Sequence, residues 1–236
     1  MTSALAAVAA GLGTILVFVL AERIHARWTV PWTNPVGLTV ATWVALVAAA
    51  GLPLSAYETG TDPLVWALRP AVVALGWVMC RQRRALGRWA APLLGGVTIG
   101  TAFSLVTTPL VARWAGAGPE LQAALALKSV SSAVGVDLAG RVGADAALTV
   151  PLIIAAGIVG AAFGPAVLRR TLRSSDEAVG IAVGTASHGI GTAAVASKRR
   201  ELPTALAGLA MGASAIATGA LAPFAFALLG LGGGPG

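Results

Sequence analysis

From Met1 to Ala21 the chain carries no charged side chain, and Glu22 with Arg23 ends the run. Residues 28–57, 89–112, 146–168, 178–197 and 202–236 are likewise free of Asp, Glu, Lys and Arg. An ionised group at the centre of a bilayer costs at least ~2.5 kcal/mol on insertion scales, so uncharged runs between charged punctuation read as membrane spans. Composition agrees, with 57% hydrophobic and only 11% charged residues and a mean hydropathy of +0.84; a soluble domain is about a quarter charged. A ~30 Å hydrocarbon core takes ~20 helical residues to cross, so a chain of this length holds at most about eight or nine spans and is expected to leave no room for a soluble domain.

The fold class this predicts is an all-α polytopic membrane protein, a single integral domain spanning 1–236 and placed in the cell membrane. The first run has no basic residues before it and reads as a retained helix, not a cleaved signal peptide. A loop from Pro31 to Pro35 precedes a helix starting near Val36. A turn is expected around Tyr57, Glu58 and Asp62, then an apolar segment over about 63–80 interrupted at Arg69-Pro70. Arg81, Arg83, Arg84 and Arg88 form one basic loop, and Arg169, Arg170 and Arg173 another. If these clusters and Arg23–Arg27 all lie inside the cell, 119–141 does not cross as an ordinary helix. Lys198, Arg199 and Arg200 then fall outside if 178–197 crosses. The tail 231–236 is expected to be disordered.

Two stretches, TDPLVWALRPAVVALGWVMCRQRRAL from Thr61 and SDEAVGIAVGTASHGIGTAAVASKRREL from Ser175, share an acidic start, a helix-weakening centre and a basic end. They suggest two related halves, about 1–115 and 119–230, inverted and each holding an interrupted helix, with the breaks meeting near the midplane. Corresponding interrupted segments are the best sequence-level pointer to a secondary-transporter site.

Several classes are excluded. The formal charge of +7 is spread over loop clusters and makes no continuous stripe for phosphate tracking. The one cysteine, Cys80, rules out an internal disulfide and a CxxC site. No acidic ring or filter-like run marks an ion channel. Ser187 and His188 are adjacent, but no acidic orienter or oxyanion turn accompanies them, so no enzyme is expected, and no cofactor or metal.

Two segments carry the chemistry. ALALKSVSSAVGVDL holds Lys128, Ser129, Ser131, Ser132 and Asp137. An ammonium with three hydroxyls within five residues can receive a carboxylate; the other reading has Lys128 snorkelling to the interface and the serines packing between helices. GIAVGTASHGIGTAA, from Gly180 to Ala194, is a poor helix, since each glycine costs about 1 kcal/mol relative to alanine. A break there is tolerated only where freed backbone groups meet partners or line a cavity, and two half-helices would aim a positive dipole end at an anion. His188 either carries a proton or binds substrate there, or is a neutral ring bonded to a carbonyl with glycines for close packing. Arg69 either binds the anion or pairs with Asp62 or a carbonyl. Gly96 with Gly100, Gly160 with Gly164, and Gly208 with Gly212 read as packing faces.

At these motifs the sequence resembles the LrgB/CidB family, which includes a plastid glycolate/glycerate translocator. The likeness runs from about Tyr57 to Pro223 and is strongest in KSVSS (Lys128 to Ser132), GIVGAAFGP (Gly157 to Pro165), GTASHGIGTA (Gly184 to Ala193) and LAMG (Leu209 to Gly212). The resemblance implies an integral membrane protein of one of two kinds. One is a carrier of small carboxylates such as glycolate, glycerate and pyruvate, to which the reading of His188 as a proton carrier adds proton coupling and lactate-like acids. The other is an antiholin-like regulator of murein hydrolase activity and autolysis, acting through an LrgA/CidA-like holin partner or further copies of itself. By position it carries substrate-binding roles to Lys128, Ser129, Ser131, Ser132, Ser187, His188, Gly189 and Thr192, with Arg69 added and with His188 and Asp137 as proton-coupling candidates. The prolines usual beside the lysine motif are Leu127 and Ala133 here, and the glycine usual before Pro70 is Arg69.

Overall fold

The computed structural model describes residues 2–28, 30, 33–51, 54–81, 83–196 and 201–231. Among them all regular structure is helical: α1 (Thr2–Arg27), α2 (Pro35–Ala50), α3 (Leu54–Arg81), α4 (Arg83–Arg88), α5 (Ala90–Trp114), α6 (Pro119–Ala126), α7 (Ser132–Val142), α8 (Ala146–Arg170), α9 (Asp176–Val195) and α10 (Glu201–Leu229). Five of these are long and apolar enough to cross a membrane, namely α1 from Ala7, α5, α8, α9 and α10. The chain divides into two compact units, Met1–Trp77 and Val78–Gly236.

In the first unit, Asn34 caps α2 by accepting the Val36 and Gly37 amides at 3.1 Å each, and Gly51 ends it in the left-handed region. Gly11 of α1 and Gly60 of α3 bring the two backbones into direct contact, since a Cβ on either would meet a main-chain oxygen. The turn expected at Tyr57, Glu58 and Asp62 is instead the opening of α3, and the break expected at Arg69-Pro70 is absent, because α3 runs helically through both Pro63 and Pro70. A proline removes one helical N–H, and in a membrane helix nearby hydroxyls and local adjustment absorb that loss. Thr59 and Thr61 donate to the Ser55 and Tyr57 carbonyls at 2.9 and 3.0 Å in the turns leading up to Pro63.

In the second unit α9 is the central element. It packs against α5, α8 and α10, and 61% of its span is buried, against 28% or less for the other four spans. Apolar side chains on the outer faces, Ile99 and Phe103 of α5 and Ile216, Phe224 and Leu228 of α10, are exposed, as lipid contact requires. Asp145 caps α8 by accepting the Ala147 amide at 2.7 Å. Arg169 at the end of α8 pairs with Asp176 at the start of α9 at 3.0 Å, each charge complementing its helix dipole.

The segment 119–141 is α6, a connection over 127–131, and α7. With 8 and 11 residues, neither helix crosses alone; they reach only ~12 and ~16 Å. The basic cluster at 198–200 lies outside the described residues. At the other end, Gly230 (φ 64°) turns the chain so that the Leu231 amide donates to the Phe226 carbonyl at 2.9 Å, and Leu231 packs into the core. The end reading therefore fails at Leu231, because an apolar side chain found a buried seat; 232–236 lie outside the described residues.

Two of the glycine faces are occupied by α9. A Cβ on Gly96 or Gly100 would touch Ile181 or Thr185, and one on Gly164 would touch Val183. On α9 itself, Gly180 and Gly184 lie against the backbone of α10 at Pro203 and Ala207, whereas Gly212 faces open space. Gly184→Ala is expected to cost about 1–3 kcal/mol by overpacking, and Gly212→Ala to be neutral. Melting temperatures of the purified variants in detergent check the contrast.

Candidate functional site

Lys128 stands in the connection between α6 and α7, where the helix has ended at Leu127 and the chain turns before Ser131 takes an extended conformation (φ −69°, ψ 153°). Its ammonium donates to Ser104 Oγ of α5 at 2.9 Å and to Ser129 Oγ at 3.2 Å, and the two hydroxyls lie 3.4 Å apart. Among the described residues no carboxylate pairs with it. An ammonium has three N–H groups; two are used here, and the third has no partner among the described residues. Both hydroxyls accept from Lys128, and at most one of their protons is spent between them. Ser131 occupies the N-cap position of α7 without a side-chain capping bond, and Ser132 is the first residue of that helix.

The second element is the break in α9. Ser187 (φ −130°, ψ 17°) and His188 (φ 41°, ψ −136°) leave helical geometry in mid-span. A non-glycine residue held there costs of the order of 1–3 kcal/mol and persists only where its surroundings fix it. They do so on every side. His188 Nε2 donates to the Ile153 carbonyl of α8 at 3.0 Å. Thr192 Oγ1 donates to the His188 carbonyl at 2.9 Å, and Ser214 Oγ of α10 donates to the Thr185 carbonyl at 3.2 Å. Beneath the break α8 offers Gly157 and Gly160: a Cβ on the first would lie 2.7 Å from the imidazole, and one on the second would collide with Ser187 Oγ. Gly191 is needed for the same reason, against Ser187 and Val183, while Gly189 only approaches Met211 Sδ at 3.9 Å.

Ile153, fully buried, adjoins both elements. Its carbonyl holds His188, and its side chain fills the space over Gly135 of α7 in the cluster that contains Leu127 and Val130, the residues flanking Lys128-Ser129. Lys128, Ser129, Ser131, Ser132, Ser187, His188, Gly189 and Thr192 thus all belong to two breaks built around one core.

The remaining candidates are placed differently. Asp137 lies on the exposed side of α7, where its carboxylate pairs with Arg141 at 3.0 Å. Thr192 has its hydroxyl proton committed to the break. Arg69 belongs to the first unit, and its side chain lies outside the described residues. Ser104 is a contact that the sequence reading missed. It is a lone serine in an apolar helix, and only the fold brings it to Lys128, 24 positions away.

Comparison with known proteins places these elements in context. A model of the LrgB-like family matches residues 14–228. The chain is 28% identical to the protein YwbG of Bacillus subtilis (strain 168), covering 89% of this chain and 93% of the relative. It is 30% identical to the plastidal glycolate/glycerate translocator 1 of Arabidopsis thaliana over 59% of this chain and 28% of that protein. It is 24% identical to the holin-like protein CidB of Staphylococcus aureus (strain Mu50 / ATCC 700699) over 76% of this chain and 79% of that one. No solved structure matches.

The seat under the break makes a coupled prediction. Gly160→Ala is expected to destabilise by about 1–3 kcal/mol, because its Cβ overlaps Ser187. Adding Ser187→Gly, which removes the overlapping atoms, should recover part of the loss. Thermal unfolding of the two single variants and the double variant measures the coupling.

Proposed function

Because the chain belongs to the LrgB-like family and is a multi-pass membrane protein, we propose that it is a secondary carrier of small monocarboxylates of the glycolate, glycerate, pyruvate or lactate kind. One observation carries the reading: the Lys128 ammonium is held by two hydroxyls and, among the described residues, by no carboxylate. A permanent structural lysine in an apolar setting is normally paired with an acid. A lysine held by hydroxyls keeps one N–H for an anion that comes and goes. Ser104 and Ser129 supply a further O–H donor, and the start of α7 adds the positive end of a helix dipole. Ser131 and Ser132 border the same place.

In this reading the α9 break forms the opposite wall. Ser187, His188 and Gly189 stand at the point where the helix restarts, and His188 is the candidate proton carrier. Asp137, engaged with Arg141, is the other group proposed for proton coupling. The name of the plastidal relative agrees with the substrate class.

A second reading has the name of the CidB relatives behind it: a membrane regulator of murein hydrolases working through a holin-like partner or by self-association. It makes Lys128 and His188 dispensable and the helix faces essential. Uptake of labelled glycolate into proteoliposomes separates the two. Lys128→Met is expected to abolish uptake, and Ser104→Ala to lower it about tenfold, the worth of one hydrogen bond to a charged group. Gly212→Leu is expected to leave it unchanged. Full uptake by Lys128→Met would exclude this site.

A further inference from the structure

Among the described residues two buried side-chain polar atoms lack a hydrogen-bond partner, Trp43 Nε1 and Thr101 Oγ1. Thr101 lies on α5 in the unit that holds the candidate site, and it is only 3% exposed. Its isolation departs from the habit of this chain. Thr39, Thr107, Thr149, Thr185 and Thr218 each donate to the carbonyl four residues earlier, at 2.6 to 2.7 Å. Thr101 has the same bond open to it at the Val97 carbonyl and does not make it. A buried hydroxyl left without a partner bears its full desolvation cost, and such a group points to a partner that is absent.

Its position says where that partner sits. Along the buried stripe of α5, Val97 packs with Leu206 and Ala210 of α10, and Leu105 packs with Ala222 and Phe226. Thr101, between Val97 and Leu105, falls between those two apolar clusters, the level at which α10 presents the buried Ser214 and Thr218. Ser214 holds the Thr185 carbonyl beside the α9 break, and a Cβ on Gly100 would lie 3.8 Å from Thr185 Cγ2. Three positions on from Thr101 is Ser104, which holds Lys128. Side chains at i and i+3 of a helix are neighbours, with Cβ atoms ~5–6 Å apart.

We propose that Thr101 is the residue by which the carrier tells an oxygen-substituted acid from a plain one. With the carboxylate on Lys128 and Ser104, a hydroxyl or keto oxygen on the adjoining carbon lies one step back along α5, where Thr101 Oγ1 bonds it. The hydroxyl is enclosed in this conformation, so the contact forms when the α9 break moves away from α5. The assignment rests on the carboxylate-carrier reading above and adds to it a basis for choosing among acids.

The probes are L-lactate and propionate, which differ by that one hydroxyl. Each is used unlabelled to compete with labelled glycolate for uptake into proteoliposomes. The wild-type protein is expected to prefer lactate about tenfold or more, the worth of one buried hydrogen bond to the ligand. Thr101→Val should bring the two acids to near equality by weakening lactate alone, and Thr101→Ser should restore the preference. Melting temperature in detergent gives a second readout. Thr101→Val removes an unpaired group and should melt no lower than wild type, with the lactate-induced rise reduced to the size of the propionate-induced one and the latter unchanged. Equal weakening of both acids, or an unchanged preference, overturns the role of Thr101 and leaves glycolate carriage standing. Absence of glycolate uptake by the wild-type protein overturns the carrier reading, and this assignment with it.

Discussion

A helix that breaks inside a membrane protein must find a partner for each backbone group the break sets free, because the bilayer supplies none. That requirement organises the second unit. The Thr185 carbonyl is taken by a serine of α10, the His188 carbonyl by a threonine of α9 itself, and the imidazole is held by a carbonyl of α8. Three helices have to stand close to reach one break. Gly157 and Gly160 on α8, and Gly180 and Gly184 on α9, remove the side chains that would keep them apart. The central place of α9 follows from its sequence of small residues, and the lipid-facing character of α5, α8 and α10 follows from the place of α9.

The same core carries the other break. The chain between α6 and α7 leaves the helix at Leu127, and the apolar residues on either side of Lys128-Ser129 are drawn into the cluster around Ile153. Burying Leu127 and Val130 turns the intervening Lys128 and Ser129 toward α5, where Ser104 meets them. A polar triad of this kind is held by the apolar residues around it: the hydroxyls satisfy the ammonium, but the direction in which it points is set by what its neighbours bury.

Much of this was legible in the sequence, and the failures have physical causes. Uncharged runs located the spans because the cost of charge in hydrocarbon is large compared with anything that offsets it locally. Glycine density located the α9 break, while the basic loops spoke against an ordinary crossing of 119–141 only if all three clusters lie inside the cell; the segment is two short helices. The interruption expected at Arg69-Pro70 misjudged Pro70, since a missing N–H is a local loss that a helix absorbs, while the Ser187-His188 break rests on contacts from other helices. Asp137 drew attention as an acid in an apolar stretch, although Arg141 one turn later already offered it a partner. Ser104 could not be found from the sequence, because a single serine in an apolar helix carries no pattern and its partner is reached only through the fold.

The bond between His188 and Ile153 has a consequence for proton movement. A carbonyl oxygen can only accept, so the proton on Nε2 is present whenever the bond is, and the neutral ring is the tautomer with its lone pair on Nδ1. A proton that reached the ring would therefore add at Nδ1, away from the anchor. Nε2 keeps its hydrogen in the imidazolium, and the bond to Ile153 becomes charge-assisted and stronger. In the proton-carrier reading, the ring would not have to let go of α8 to take up or release a proton, and the anchor of the α9 break would be the same in both states.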